Sequence, residues 1–257
     1  DPYSKLQDLD YVPESVGGWK KQPRGPHVHD RHVTGMTIGK PVPLVDSNWK
    51  ITGQAHYGDD IRLPGELIGK ILRSPHHYAK ILSIDTSAAE AMDGVFAVAT
   101  GQDSVNKFGV LPVTKDEHAM AQEKVRHVGD LVACVCAIDE ATAIEAMNAI
   151  SVDYEVLPSI HDMEDGLKDS ENPIHDRGKY HIGESNVQKR VFQQFGDLEG
   201  MKDAPFHHEA DWETAGLHHG FTEPHAVVAH WDPSGRLTVW TPQQVPHYLH
   251  RGLSAVL

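Results

Sequence analysis

The sequence has 257 residues, 39% of them hydrophobic, so it is expected to form one large folded domain or two smaller ones. Its formal net charge of -14 argues against nucleic-acid binding, which requires a basic surface. Two cysteines are too few for an iron–sulfur cluster, which needs about four thiolates, and no apolar stretch reaches the ~18 residues of a membrane span.

The first 35 residues are polar and contain four prolines, which predicts an extended N-terminal arm. His27, His29 and His32 in this arm could bind a transition metal. A chain with 19 histidines produces such clusters by chance, so we interpret them as solvated imidazoles or partner contacts and predict no metal site. Residues 36–62 are interrupted by glycines and acids and predict loops with at most one short strand.

From residue 66 to residue 158 the pattern becomes regular. Asp85-Thr86-Ser87 is expected to cap a short helix closed by Gly94, and Asp139 to cap a helix over 140–150. Strand–helix–strand units of this length predict an α/β layer with helices packed on a sheet. The predicted strands are 66–73, 81–84, 95–100, 131–138 and 151–156.

The two cysteines, Cys134 and Cys136, lie two residues apart in one predicted strand and therefore face the same side of it. We expect two small buried side chains on the core face. A disulfide between them is opposed by the geometry of an extended strand. The low cysteine content is consistent with the reducing cytoplasm, which is the location we predict.

Beyond residue 158 the pattern changes again. Residues 159–190 are polar and predict a surface linker. Strands are predicted at 226–231 and 236–240, joined by a turn at 232–235, and a helix is expected to begin near Pro246. The sequence ends on the apolar run 254–257, which we interpret as a helix that continues elsewhere or docks on another chain.

Four motifs then stand in order along residues 36–158, and together they resemble the large subunit of the xanthine dehydrogenase and aldehyde oxidase family. The segment Arg73-Ser74-Pro75-His76 resembles the opening of that family's α/β hammerhead domain. Phe108–Pro112 and Asp85–Glu90 look closest to 4-hydroxybenzoyl-CoA reductase. The four motifs are Asp46-x-x-x-Lys50-x-Thr52-Gly53-x-Ala55-x-Tyr57-x-x-Asp60, Gly69-Lys70-Ile71-Leu72-Arg73-Ser74-Pro75-His76-x-x-Ala79-Lys80-Ile81, Val125-Arg126-x-x-Gly129-Asp130-x-Val132-Ala133 and Val152-Asp153-Tyr154-Glu155-x-Leu157-Pro158.

The resemblance implies an α/β (α+β) fold with an arm at 1–35, a hammerhead domain at 36–158, a linker at 159–190 and the first segment of a molybdenum-cofactor-binding domain at 191–257. It also implies a molybdenum–pterin cofactor, and [2Fe–2S] and FAD groups in partner subunits. In such a hydroxylase the substrate, which is an aromatic, N-heterocyclic, aldehyde or CoA-thioester compound, takes its new oxygen from water.

The family's Gly-Gly-Gly-Phe-Gly cofactor loop and its C-terminal glutamate base do not occur in this sequence. We therefore expect no catalytic residue here, no activity of the chain alone, and a second molybdenum-binding polypeptide that completes the site. A natural split of the large subunit is favoured over a fragment.

The string Thr241-Pro242-Gln243-Gln244-Val245-Pro246-His247 resembles a family segment whose glutamine hydrogen-bonds an oxo ligand of molybdenum. The resemblance assigns this role to Gln244, with Gln243 as the second choice if the register slips by one residue. The alternative is a glutamine that caps the helix beginning near Pro246.

Other polar residues receive structural interpretations. His219 and Glu223 could share a helix face, but we interpret His218-His219-x-x-x-Glu223 as a hydrogen-bonded pair and not as a metal site. Arg73 is expected in an ion pair, and Asp59-Asp60 in a turn or cap. His76-His77 and His207-His208 are interpreted in the same way as the histidines of the arm, although His76 matches a family motif and is expected to pack for a structural reason.

Two further hypotheses remain beside the enzyme component. The chain could be a non-catalytic scaffold or assembly subunit of such a complex. It could also be an independent histidine-based metalloprotein.

Overall fold

The computed structural model describes residues 42–110, 115–168, 170–175, 185–197 and 199–257. The predicted arm at 1–35, with His27, His29 and His32, lies outside the described residues. The described residues form two compact units: one combines those up to Glu66 with His219–Gln244, and the other combines those within Leu67–His218 with Val245–Leu257. No helix among the described residues is long and apolar enough to cross a membrane.

The larger unit contains the regular part of the sequence. Its described residues form two three-stranded antiparallel sheets, in the orders β1-β5-β3 and β4-β2-β6. The strands are β1 (Ile68–Arg73), β2 (Ala79–Asp85), β3 (Val95–Thr100), β4 (Lys124–Val125), β5 (Leu131–Ala137) and β6 (Ser151–Val156). The predicted strands are therefore confirmed, with β2 longer than expected at both ends.

Two helices connect these sheets. Helix α2 (Ser87–Glu90) joins β2 to β3, and helix α3 (Glu140–Ala149) joins β5 to β6. Each helix therefore links strands of different sheets. Asp139 caps α3 as predicted, because its Oδ1 accepts the backbone N–H of Thr142 at 2.8 Å. At α2 the N-cap residue Thr86 makes no side-chain cap bond, but Asp85 before it accepts the N–H of Ser87 at 3.0 Å.

The main hydrophobic core lies between the first sheet and these helices. Ala133 and Val135 of β5 are fully buried there against Ala89 of α2 and Ala146 of α3. A second cluster, of Ala79, Ala121, Val125 and Val132, is formed with the other sheet. Small side chains let the helix and strand backbones approach closely, so α3 packs against β1, β5 and β3.

The prediction for the cysteines is wrong about their burial. Cys134 and Cys136 are free thiols on the face of β5 opposite Ala133 and Val135, and both are only half-buried. Partial burial still raises the pKa of the Cys134 thiol, and the neighbouring Cys136 thiol raises it further.

The smaller unit contains helix α1 (Ser47–Ile51) and the hairpin of β7 (Val228–Trp231) and β8 (Leu237–Trp240). The expectation of loops with at most one short strand at 36–62 is wrong in its described part, where α1 and a 3-10 turn at Gly58–Asp60 occur instead. The predicted turn at 232–235 is confirmed, since Asp232 Oδ1 accepts the N–H of Ser234 at 2.8 Å.

The remaining helices are α4 (Met163–Gly166) and α5 (Pro246–Val256). Helix α5 begins at Pro246 as predicted, and its last residues lie against the loop after β3. Arg251 donates to the carbonyl oxygen of Val110 at 3.0 Å, and the amide of Asn106 donates to the carbonyl of Val256 at 3.4 Å. This part of the chain is therefore tied to the larger unit.

Candidate functional site

The predicted cofactor-contacting segment, 241–247, begins where β8 ends. Pro242 is half-buried, and its ring is close to Gly58, where an added Cβ would lie 3.4 Å from the Pro242 Cδ and 3.2 Å from the Ala226 carbonyl oxygen. The tight approach fixes the backbone just before Gln243. Pro246 then starts α5, a position at which its missing N–H is not needed.

Gln243 and Gln244 are both exposed between these two fixed points. Within the described part of the chain, the Gln244 side chain makes no hydrogen bond, so it does not cap α5, and that helix has no side-chain cap bond. Gln243, in contrast, has an interaction partner. A neutral carboxamide with two N–H donors fits a metal oxo group, because it adds a hydrogen bond without adding charge.

The candidate pair of His219 and Glu223 does not share a helix face, because residues 218–223 have no helical structure. In the same segment the rings of Phe221 and His225 stack, with centroids 4.5 Å apart. The described residues hold no group of three His, Cys, Asp or Glu side chains placed to bind a metal ion.

The Arg-Ser-Pro-His segment has structural contacts. Arg73 donates to the carbonyl oxygen of Gly129 at 2.9 Å and forms no ion pair with a carboxylate of the described residues. Ser74 is buried, and its hydroxyl accepts the N–H of His76. The His76 ring meets the Tyr154 ring edge to face at 5.0 Å, in agreement with the predicted packing role. Burial raises the pKa of the Tyr154 hydroxyl, and the nearby Asp130 raises it further.

A second group of polar side chains was missed by sequence reasoning. His77, Arg126, His127 and His161 line one cleft of the larger unit. For His77 the sequence indicates only a structural neighbour of His76. These residues come from three separate stretches of the chain, so no local spacing indicates that they meet.

Comparison with known proteins identifies both parts of the chain. Residues 52–158 match the model of the aldehyde oxidase and xanthine dehydrogenase a/b hammerhead domain, and residues 181–257 match that of the molybdopterin cofactor-binding domain. The chain belongs to the xanthine dehydrogenase family, as part of the molybdenum-cofactor large subunit. The resemblance stated from the four motifs is confirmed, whereas the closer likeness to 4-hydroxybenzoyl-CoA reductase stays a prediction.

Individual relatives of the chain support the same family assignment. The chain is 35% identical to the nicotinate dehydrogenase large molybdopterin subunit of Eubacterium barkeri, covering 83% of this chain and 49% of that protein. It is 30% identical to the xanthine dehydrogenase molybdenum-binding subunit of Escherichia coli O157:H7, covering 83% of this chain and 29% of that protein. The chain thus spans about half or less of the length of these relatives.

Comparison of the fold with solved structures supports the same family. The structure of quinoline 2-oxidoreductase from Pseudomonas putida 86 superposes with a TM-score of 0.68 at 26% identity, covering 85% of this chain and 28% of that one. The α/β hammerhead and the start of a cofactor-binding domain are therefore confirmed as the fold class.

Proposed function

We propose that the chain is a component of a molybdenum-dependent hydroxylase or dehydrogenase and contributes one wall of its cofactor site. The observation that carries the proposal is the exposed Gln244, in a segment that lies within the match to the molybdopterin cofactor-binding domain. When bound, the molybdenum–pterin cofactor supplies a two-electron redox centre for inserting water-derived oxygen into a substrate.

In this proposal the amide N–H of Gln244 would donate a hydrogen bond to an oxo ligand of the metal and so would help to hold the cofactor. Gln243 takes this role if the register is one residue earlier. Pro242 and Pro246 support the position, because they limit the backbone freedom on both sides of the two glutamines. No residue of this chain is proposed as the acid or base of the reaction.

The proposed substrate is an aromatic, N-heterocyclic, aldehyde or CoA-thioester compound. Nicotinate dehydrogenase, xanthine dehydrogenase and quinoline 2-oxidoreductase are named for N-heterocycles, which supports the inclusion of that class. The proposed partners are a second molybdenum-binding polypeptide, and a [2Fe–2S] subunit and an FAD subunit that receive the electrons. The proposed location is the cytoplasm.

The partner proposal is tested by purifying the protein from its native source and identifying accompanying polypeptides by mass spectrometry. We expect a chain carrying Gly-Gly-Gly-Phe-Gly, together with flavin, iron and molybdenum in stoichiometric amounts. A preparation that contains this chain alone and no molybdenum would contradict the proposal.

The residue proposal is tested by Gln244→Ala and Gln243→Ala in the assembled complex, with the exposed Gln102→Ala as the matched glutamine control. Loss of one supporting hydrogen bond at a metal centre lowers activity about 10- to 100-fold. We expect this loss, with an altered molybdenum(V) resonance spectrum, in Gln244→Ala and not in Gln102→Ala. A loss in Gln243→Ala alone would move the contact by one residue. Unchanged turnover and spectrum in both variants would leave a scaffold role only.

A further inference from the structure

The cleft formed by His77, Arg126, His127, Ser159 and His161, here named the histidine cleft, has no role in the proposed function. Tyr78, Ile160 and Ile174 also line it, and its volume is about 150 Å³. Among the described residues the lining contains a guanidinium group and imidazoles but no carboxylate, although the whole chain carries 37 acidic residues against 23 Lys and Arg. Such a lining favours an anion.

The donors of the histidine cleft are held in place. The rings of His77 and His161 meet edge to face with centroids 4.7 Å apart. On the other side of His161, its Nε2 lies 2.8 Å from the hydroxyl of Ser159. These two contacts fix the His161 ring before any ligand arrives, which lowers the entropic cost of binding.

Arg126 is positioned in a similar way. Its Nε donates to the carbonyl oxygen of Ile174 at 2.9 Å. This bond orients the guanidinium and leaves its two terminal nitrogens available, since among the described residues no carboxylate forms an ion pair with it. Arginine is always charged and its planar fork matches an oxyanion, so it is the expected anchor of the site.

The charges behind the histidine cleft are consistent with an anionic ligand. Lys124 donates to the hydroxyl of the buried Tyr78 at 3.2 Å, so an ammonium group contacts one of the lining residues. One acid lies close to the cleft among the described residues: Asp130 Oδ2 is 4.0 Å from His127 Nδ1. That carboxylate accepts the backbone N–H groups of Arg126 and Leu131, so it is engaged within the protein.

We propose that the histidine cleft binds a phosphate-type oxyanion, either free or as the terminal group of a small phosphomonoester. Arg126 provides the fixed charge, and His77, His127 and His161 provide N–H donors. A transition metal is a poorer fit, because no three His, Cys, Asp or Glu side chains converge among the described residues.

The test uses the full chain and side-chain NMR signals of histidine during titration at constant ionic strength. Inorganic phosphate, glycerol phosphate and acetate are the three probes. We expect saturable shifts with the two phosphates and at least about tenfold weaker binding of acetate. Stronger binding of glycerol phosphate than of inorganic phosphate would identify a phosphomonoester as the ligand. Equal binding of acetate, or shifts that do not saturate, would overturn the proposal.

Variants assign the binding to these residues. His77→Gln and Arg126→Gln are each expected to weaken phosphate binding about tenfold or more. His230→Gln, an exposed histidine of the smaller unit, is the control and should bind as the unaltered chain does. Because Arg126 also donates to the Ile174 carbonyl, circular dichroism must confirm that the Arg126→Gln variant is folded. If that variant does not fold, the variant at the exposed His77, His77→Gln, decides the result. Unchanged binding in His77→Gln would overturn the assignment.

Discussion

The ammonium group of Lys124 lies 2.6 Å from the backbone carbonyl oxygen of Pro173. The hydroxyl of Tyr78 donates to the same oxygen at 2.7 Å, and Arg126 donates to the next carbonyl, that of Ile174. Three side chains of the larger unit thus bind a short stretch of the segment predicted to be a surface linker. The boundaries 159–190 stay a prediction, but residues 172–175 are attached to the domain.

We expect Lys124→Met to lower the free energy of unfolding by about 1–3 kcal/mol, because two partly buried oxygen acceptors lose a charged donor. Amide hydrogen exchange in peptides covering 170–175 should also accelerate. Lys80→Met is the control: its ion pair with Glu155 is about half exposed and should contribute about 0–1 kcal/mol. Equal losses in urea denaturation would show that the Pro173 contact adds no stability of its own.

Close backbone packing gives a second prediction, at Gly101. A Cβ added there would lie 2.3 Å from the carbonyl oxygen of Ala121, whose N–H is bonded to Leu131. Since backbone must move to relieve the clash, Gly101→Ala should cost more than about 2 kcal/mol in chemical denaturation. Gly166→Ala in α4 meets no atom within 4 Å and should be neutral or stabilising by about 0.5–1 kcal/mol. A Gly101→Ala protein as stable as Gly166→Ala would contradict the close approach of these two loops.

The local elements were predictable because their signals are local. The strand Val95–Thr100 and the strand Ser151–Val156 have the predicted bounds, and the Asp139 cap follows from its position before a helical pattern. The pairing of strands was not predictable, because Leu72 meets Ala133 across sixty residues of sequence.

The errors have physical reasons as well. Every residue of β5 (Leu131–Ala137) is apolar or a thiol, so no polar position marks which face is outside, and the cysteines were placed on the wrong one. For the candidate site, the string around Gln244 was recognisable because its residues are adjacent. The histidine cleft was not, because His77, His127 and His161 meet only after folding.

The thiol of Cys134 gives a third prediction. Because burial raises its pKa, a smaller fraction is thiolate near neutral pH, and the thiolate is the nucleophile. In a Cys136→Ser variant, iodoacetamide should modify Cys134 more slowly in the folded protein than in urea near neutral pH. The rate should keep rising above pH ~8.5, the pKa of an ordinary cysteine. Mass spectrometry measures both rates, and equal rates in the two states would refute the pKa effect.

Helix α3 gives a prediction for acid stability through its cap. The backbone N–H of Thr142, followed by its hydroxyl, lowers the pKa of the exposed Asp139 carboxyl. The stability due to this shift is therefore complete above the unfolded pKa of about 4 and is lost as pH falls through the lower folded pKa. Asp139→Asn keeps a capping oxygen but cannot titrate. The unaltered chain should exceed it in stability at pH ~7, and urea unfolding at pH ~2 should show a smaller difference. A stability difference that is the same at these two pH values would exclude this linkage. Asp139→Ala removes the cap oxygen and should be less stable than Asp139→Asn at every pH.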